Sequence, residues 1–235
     1  MAQVLVRFGG TPWYASIFRQ QFVNICFFSF PIVGLTTIFA GMVLALQSAT
    51  GFADPLAEAS IPAIVTLAIT RELAPVLAGL MVAGRVSASI AAELGSMRVT
   101  EQIDALQTMQ TDPLKYLVLP RILAGIISVP ILVVVGNILG IFGGYIVAVT
   151  QLDFYGPGFI ARCWDALDQV GLISGLVKAA AFGLLITLMG CYQGYLCRGG
   201  AQGVGQATTH AVVAASILIL VANYIITLLT ISLFG

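Results

Sequence analysis

The sequence predicts an all-α polytopic membrane protein with about five transmembrane helices, an N-terminal interfacial helix and a cytoplasmic helical segment. Of 235 residues, 59% are hydrophobic and only 9% are charged, against roughly 45–50% and about 25% in soluble domains. Ten basic residues balance ten acidic ones, so no basic field would attract nucleic acid. Because no polar linker or internal repeat is visible, residues 1–235 are treated as one transmembrane domain.

Long uncharged runs locate four of the five spans. A helix needs about 20 mainly apolar residues to cross the hydrocarbon core, and residues 20–53, 122–152, 179–197 and 199–235 carry no charge. These runs predict spans at about 23–48, 119–150, 176–197 and 209–233. Aromatic residues and Arg19 in residues 12–21 predict the short interfacial helix before the first span.

The fifth predicted span, residues 61–84, contains the adjacent charges Arg71 and Glu72. Charged groups near the bilayer centre are costly and mark functional sites by default, although an ion pair that joins two helices is the alternative. Neighbouring residues on a helix point about 100° apart, so these two side chains do not face each other. Pro75 cannot donate to the Arg71 carbonyl, and we expect the charges to border a wet cavity.

The distribution of Lys and Arg predicts the orientation. With a cytoplasmic N-terminus, Arg162 and Lys178 alone flank the spans on the far side. The cytoplasmic side then receives Arg7, Arg19, Arg85, Arg98, Lys115, Arg121 and Arg198. Five spans would place the C-terminus on the opposite, periplasmic face.

A polar segment at residues 86–110 separates the second and third spans. Apolar residues at helical spacing predict two amphipathic pieces, with Thr100 capping the second. Such a segment is either a connector lying on the membrane or a docking surface for another protein. Periodicity alone favours neither.

Four stretches carry a specific resemblance. They are RELAPVLAGLMVAGRVSASIAAELGSMRVTEQIDAL (residues 71–106), TDPLKYLVLPR (111–121), FAGMVLALQ (39–47) and GVGQATTHAVV (203–213). This pattern resembles the MlaE/YrbE-type permeases of MCE-associated, lipid-transporting ABC systems. The resemblance covers nearly the whole chain from about residue 21.

The resemblance implies a permease that moves phospholipids or related lipids between the inner membrane and the cell envelope. It implies a second copy of the chain, a cytoplasmic P-loop ATPase and a periplasmic MCE-domain lipid carrier, and it allows a small accessory STAS-type subunit. ATP and Mg would be bound by the ATPase, with no cofactor or metal in this chain. The implied location is the inner membrane.

The same resemblance assigns roles to particular residues. It places lipid binding at Leu44, Gln47, Arg71, Glu72 and Leu73, and it settles the polar segment as a coupling helix. Candidate contacts with the ATPase are Glu93, Arg98 and Glu101. One departure is Asn223 in the last span, where relatives are expected to carry Asp.

Two other classes remain as alternatives. An ion- or proton-coupled secondary transporter could use Arg71 and Glu72, and a membrane scaffold would not need these charges. Catalysis by the chain itself is not expected, because it has one histidine and no HExxH, GxSxG or P-loop motif.

Overall fold

The computed structural model describes residues 15–51 and 56–234, and these residues are helical almost throughout, with no strand among them. Five of the described helices are long and apolar enough to cross a membrane. The predicted fold class, an all-α polytopic membrane protein with five spans, is therefore confirmed.

Seven helices are numbered here in chain order. They are α1 (Ala15–Gly51), α2 (56–99), α3 (Gln102–Thr108), α4 (Leu114–Thr150), α5 (Gly156–Ala166), α6 (Gln169–Tyr195) and α7 (Gly200–Phe234). The five candidate spans are α1, α2, α4, α6 and α7.

Helix α2 is continuous but changes its hydrogen-bonding pattern twice. Two π-helical turns, Ile69–Leu73 and Ala83–Ser87, interrupt its α-helical segments. Single π turns inside α-helices are frequent at functional sites. Arg71 and Glu72 lie in the first turn and Arg85 lies in the second.

The ends of α1 and α2 differ from the ranges expected from the sequence. Residues 15–21 of the expected interfacial helix form the start of α1 without a break, and residues 12–14 lie outside the described part of the chain. The first half of the polar segment, Ala88–Val99, continues α2. The predicted capping role of Thr100 is wrong, because its hydroxyl donates back to the Ser96 carbonyl at 2.9 Å and Glu101, at φ 59°, directly precedes α3.

Contacts divide the chain into two compact units. The first unit contains described residues 15–29, 79–129 and 180–222, and the second contains residues 30–78, 130–179 and 223–234. Each is considered by itself.

The first unit is held by buried apolar side chains and close helix contacts. Phe182, Ile186 and Ile219 are fully buried. A Cβ on Gly183 would collide with the backbone carbonyl of Gly125, so α6 and α4 approach each other closely here. Small residues allow such approaches between membrane helices.

The second unit has an apolar core cluster of Ala45, Ile61, Val65, Ile69, Ala74 and Val147. Glycines of α4 pack closely against other helices of this unit. A Cβ on Gly144 would lie 2.9 Å from the Val65 side chain, and one on Gly140 would lie 3.1 Å from Ile69. These glycines therefore face neighbouring helices, where a small residue allows close approach.

Candidate functional site

A cavity of about 570 Å³ lies within the second unit, and it is called here the second-unit cavity. Segments of α2, α6 and α7 enclose it together with Asp168. Its lining residues are Leu67, Ala68, Arg71, Glu72, Asp168, Val170, Gly171, Ser174, Lys178, Thr227, Thr230 and Ile231. Four of them carry formal charges that sum to zero.

The carboxylate of Glu72 accepts hydrogen bonds from three side chains on two other helices. Lys178 Nζ of α6 lies 2.7 Å from Oε1. On α7, Asn223 Nδ2 lies 3.1 Å from Oε2 and Thr227 Oγ1 lies 3.2 Å from Oε1. Donors to an ionised carboxylate are the stronger class of hydrogen bond, so this cluster ties α2 to both helices.

Proline determines the backbone at this point of α2. Pro75 has no N–H to donate to the Arg71 carbonyl four residues earlier, as the sequence predicted. That carbonyl accepts a hydrogen bond from Lys178 Nζ at 3.1 Å. One ammonium group therefore satisfies both the freed carbonyl and the Glu72 carboxylate.

Lys178 is among the most buried side chains of the second unit, with a side-chain exposure of 2%. It lies within α6, which begins at Gln169, and therefore not in a loop. An isolated ammonium group in apolar surroundings would be strongly disfavoured. Glu72, whose side chain is 40% exposed, supplies the compensating charge.

Arg71 forms a separate ion pair with Asp168. Its Nη2 lies 2.7 Å from Asp168 Oδ2, and the two side chains are 51% and 36% exposed. Asp168 also caps α6, because its carboxylate accepts the N–H groups of Val170 and Gly171, each at 3.1 Å. These two N–H donors, followed by Arg71, hold the pKa of Asp168 below its usual range.

Glycines on α6 make room for these groups. A Cβ on Gly171 would lie 2.8 Å from Arg71 Nε, and one on Gly175 would lie 2.7 Å from the Thr70 carbonyl oxygen. Gly171, Gly175 and Lys178 share one face of α6 because they are spaced by four and three residues. That face therefore lies directly against the π turn of α2.

The cavity combines an apolar wall with polar groups. Leu67, Ala68, Val170 and Ile231 supply apolar surface. A guanidinium group has five N–H donors in a planar fork that suits phosphate, and Asp168 is bonded to Nη2 of Arg71. The arrangement suits a ligand with one anionic group and a long apolar part.

The structure brings together only two of the five predicted lipid-binding residues at this cavity, Arg71 and Glu72. Leu44 and Leu73 pack against the apolar core cluster of the second unit instead. Gln47 lies on an exposed face of α1. The roles predicted for all five remain predictions.

Sequence reasoning missed the four side-chain partners of Arg71 and Glu72, which are Asp168, Lys178, Thr227 and Asn223, the last noted only as a departure. A usable signal was present on α7, where Asn223, Thr227 and Thr230 recur at helical spacing within an apolar span. Thr230 in turn lies 3.1 Å from Ser174 of α6 through their hydroxyl groups. Such a polar stripe indicates contact with polar groups on other helices.

The three predicted ATPase-coupling residues have different surroundings in the first unit. Glu93 pairs at 2.7 Å with Arg121, whose side chain is only 2% exposed. Arg98 pairs with Asp104 of α3 at 2.5 Å. Glu101 is exposed at the junction before α3, and among the described residues it forms no ion pair.

Comparison with known proteins identifies the family. The family described as Permease MlaE matches residues 18–229. The chain belongs to the MlaE permease family. A relative from Rickettsia felis, named as a probable ABC transporter permease protein, is 56% identical over 216 residues, which cover 92% of this chain and 83% of the relative.

More distant MlaE relatives carry more specific names. The intermembrane phospholipid transport system permease protein MlaE of Haemophilus influenzae is 36% identical over 197 residues, covering 83% of this chain and 76% of that protein. The chloroplastic protein trigalactosyldiacylglycerol 1 of Arabidopsis thaliana is 33% identical over 192 residues, covering 82% and 55%. The chain is therefore the permease of an ABC transporter, a multi-pass membrane subunit that works with an ATPase.

Proposed function

We propose that this permease moves phospholipids or related lipids between the inner membrane and the cell envelope. It acts as a homodimer with a cytoplasmic ATPase that binds ATP and Mg²⁺, and with a periplasmic MCE-domain lipid carrier. A small STAS-type subunit fits the same assembly. The N-terminus lies in the cytoplasm and the C-terminus in the periplasm, as the Lys and Arg distribution favours.

The observation that carries this proposal is the composition of the second-unit cavity. Its charged groups, Arg71, Glu72, Asp168 and Lys178, face apolar side chains of α2, α6 and α7. A phospholipid has the same division between a charged head and apolar chains. The name of the Haemophilus influenzae relative, which is 36% identical, supports the same substrate class.

The geometry gives the charged residues different tasks in this proposal. Arg71 is half exposed and bonded to Asp168 through Nη2, so its other N–H groups are the donors for a headgroup phosphate. Lys178 is too buried to reach a ligand without movement. It instead holds Glu72 and the α2 backbone in place, which makes it a positioning residue.

Coupling to the ATPase is proposed to run through the connector between α2 and α4. Glu101 would contact the partner, because its side chain is exposed. The Arg98–Asp104 pair would keep α3 attached to α2, and the Glu93–Arg121 pair would attach α2 to α4. A docked helix with such attachments transmits a rigid-body displacement.

The test is ATP-dependent lipid transfer between vesicles by the reconstituted permease–ATPase complex. Replacement of Glu72 or Gln47 by Leu should lower the transfer rate while the complex stays assembled on size-exclusion chromatography. Gln151→Leu is the matched control for Gln47→Leu, because both glutamines are exposed and lie outside the second-unit cavity, but only Gln47 is a predicted lipid-binding residue. Transfer at the unsubstituted rate in both site variants would contradict the proposed lipid site.

The same vesicles separate the rival classes. A proton-coupled carrier would move its substrate under an imposed pH gradient without ATP, whereas the proposed permease requires ATP. A scaffold would tolerate simultaneous neutralisation of Arg71 and Glu72 with no loss of transfer.

A further inference from the structure

A second cavity, of about 280 Å³, lies within the first unit and is called here the first-unit cavity. Gln21, Asn24, Ile25 and Phe28 line it from one face of α1, since they are spaced by three or four residues. From α2 it is lined by Arg85, Val86, Ser89, Ile90 and Glu93. Apart from Glu93, whose pair with Arg121 was assigned to coupling, none of these residues has a role in the proposed transport mechanism.

Arg85, which lines this cavity, lies in the second π turn of α2. Its Nη1 donates to the Asn24 carbonyl at 3.1 Å and to Ser29 Oγ at 2.8 Å. The guanidinium carbon lies 5.5 Å from the centre of the Phe28 ring. These partners are all neutral, and among the described residues no carboxylate forms an ion pair with Arg85.

Glu93 does not neutralise Arg85 either. Its Oε1 is engaged by Arg121 at 2.7 Å, so its charge is already balanced within the first unit. Arg85 therefore lines the cavity without a counter-ion among the described residues, in a helix that is long and apolar enough to cross a membrane. Arg85 is only half-buried, and a half-buried charge without a counter-ion is available to an anion.

The surroundings of the cavity indicate which anion. Ile25, Val86 and Ile90 contribute apolar surface, and Phe27 and Phe28 are 69% and 55% exposed on α1. Aromatic side chains exposed on a spanning helix suit contact with lipid. An occupant with a phosphoryl head and apolar chains satisfies both Arg85 and this surface.

We infer that the first-unit cavity binds the phosphoryl headgroup of a membrane phospholipid, with Arg85 as the phosphate ligand. The bound lipid is separate from any lipid in the second-unit cavity. Arg85 keeps Nη2 and Nε for the phosphate, since its protein acceptors use Nη1. The inference depends on a membrane location for the chain and not on lipid transport.

The experiment is native mass spectrometry of the full-length permease with its ATPase partner, released from nanodiscs that contain phosphatidylethanolamine. Ser89→Phe fills the cavity without removing any hydrogen bond of Arg85, and Ser89→Ala is the size-matched control. Arg85→Gln removes the charge, and Arg198→Gln makes the same charge change at an exposed position. We expect Ser89→Phe and Arg85→Gln to lower the retention of one bound lipid at least about tenfold, because each variant removes hydrogen bonds between Arg85 and the charged phosphate.

Each outcome decides the inference. A separate site is supported if the bound lipid is lost in Ser89→Phe and Arg85→Gln and retained in both controls. The same loss is expected when each of these variants is combined with Lys178→Met. Full retention in Ser89→Phe overturns it and leaves Arg85 as a structural link between α1 and α2. Displacement of the lipid by an equal concentration of soluble glycerophosphoethanolamine would show a phosphate site without lipid selectivity. ATP-dependent transfer is measured independently, so the proposed function can fail while this site stands.

Discussion

Lys178→Met removes the ammonium group while it keeps a long, apolar side chain inside α6. Lys178 Nζ bonds to Glu72 Oε1 at 2.7 Å and to the Arg71 carbonyl at 3.1 Å. Removal of one partner from a buried ion pair costs about 3–5 kcal/mol, and the partial exposure of Glu72 places this case at the low end. The unpaired carbonyl accounts for about 1 kcal/mol of that loss.

The expected destabilisation is therefore about 3 kcal/mol, of which the charge of Glu72 accounts for most. The double variant Lys178→Met with Glu72→Gln should regain about 2 kcal/mol, because a neutral amide needs no counter-ion and its single oxygen can still accept a hydrogen bond from Asn223 or Thr227. At about 2–4 °C per kcal/mol for a chain of this size, the single variant loses about 6–12 °C in Tm.

Thermal unfolding of the purified protein in detergent, followed by fluorescence-detected size exclusion, measures these shifts. Lys115→Met is the matched control, because Lys115 is the other lysine of the chain and should shift Tm little. Equal Tm values for the single and double variants would refute the reasoning, since they would show that Glu72 does not need the ammonium group.

Three further changes test the same geometry. Asn223→Asp should lower Tm by more than Asn223→Ala, because a carboxylate would replace the donor that lies 3.1 Å from Glu72 Oε2; the reverse order would contradict this hydrogen bond. Asp168→Asn should flatten the dependence of Tm on pH in the acid range. Because the pKa of Asp168 is lowered in the folded protein, its carboxylate stabilises the fold fully above the ordinary carboxyl pKa of about 4. This stabilisation is lost as the pH falls through the folded-state pKa. Gly175→Ala should cost about 1–3 kcal/mol through its collision with a backbone carbonyl of α2, whereas Gly84→Ala, which meets nothing within 4 Å, should leave chemical-denaturant midpoints unchanged or higher.

Local chemistry allowed several features of the site to be predicted from the sequence. Proline at position 75 removes a backbone donor in any helix, so the unpaired Arg71 carbonyl could be predicted without a structure. Adjacent residues diverge on a helix, so separate partners for Arg71 and Glu72 could also be predicted. The uncharged runs were long enough to define four of the five spans.

Which side chains pair with Arg71 and Glu72 depends on how each helix is rotated and shifted along its axis relative to its neighbours. Periodicity in a uniformly apolar helix does not define either quantity. Lys178 lies near the end of an uncharged run, so its position fits a loop or a span equally well. Only the start of α6 at Gln169, where Asp168 caps the helix, places Lys178 inside a helix. Leu44 and Leu73 illustrate the opposite error, because apolar residues suit a lipid site and a protein core equally.

The two π turns of α2 give a common reason for the two cavities. A π turn carries one residue more than an α turn and leaves a local irregularity in the helix surface. In the first turn, the irregularity and Pro75 expose a carbonyl that Lys178 occupies. In the second turn, the Arg85 guanidinium contacts α1. Neighbouring Gly84 faces open space, because no atom lies within 4 Å of a Cβ placed there. Each turn thus places a basic side chain beside a cavity within its own unit, and the occupant of the second cavity can be tested without any assumption about the first.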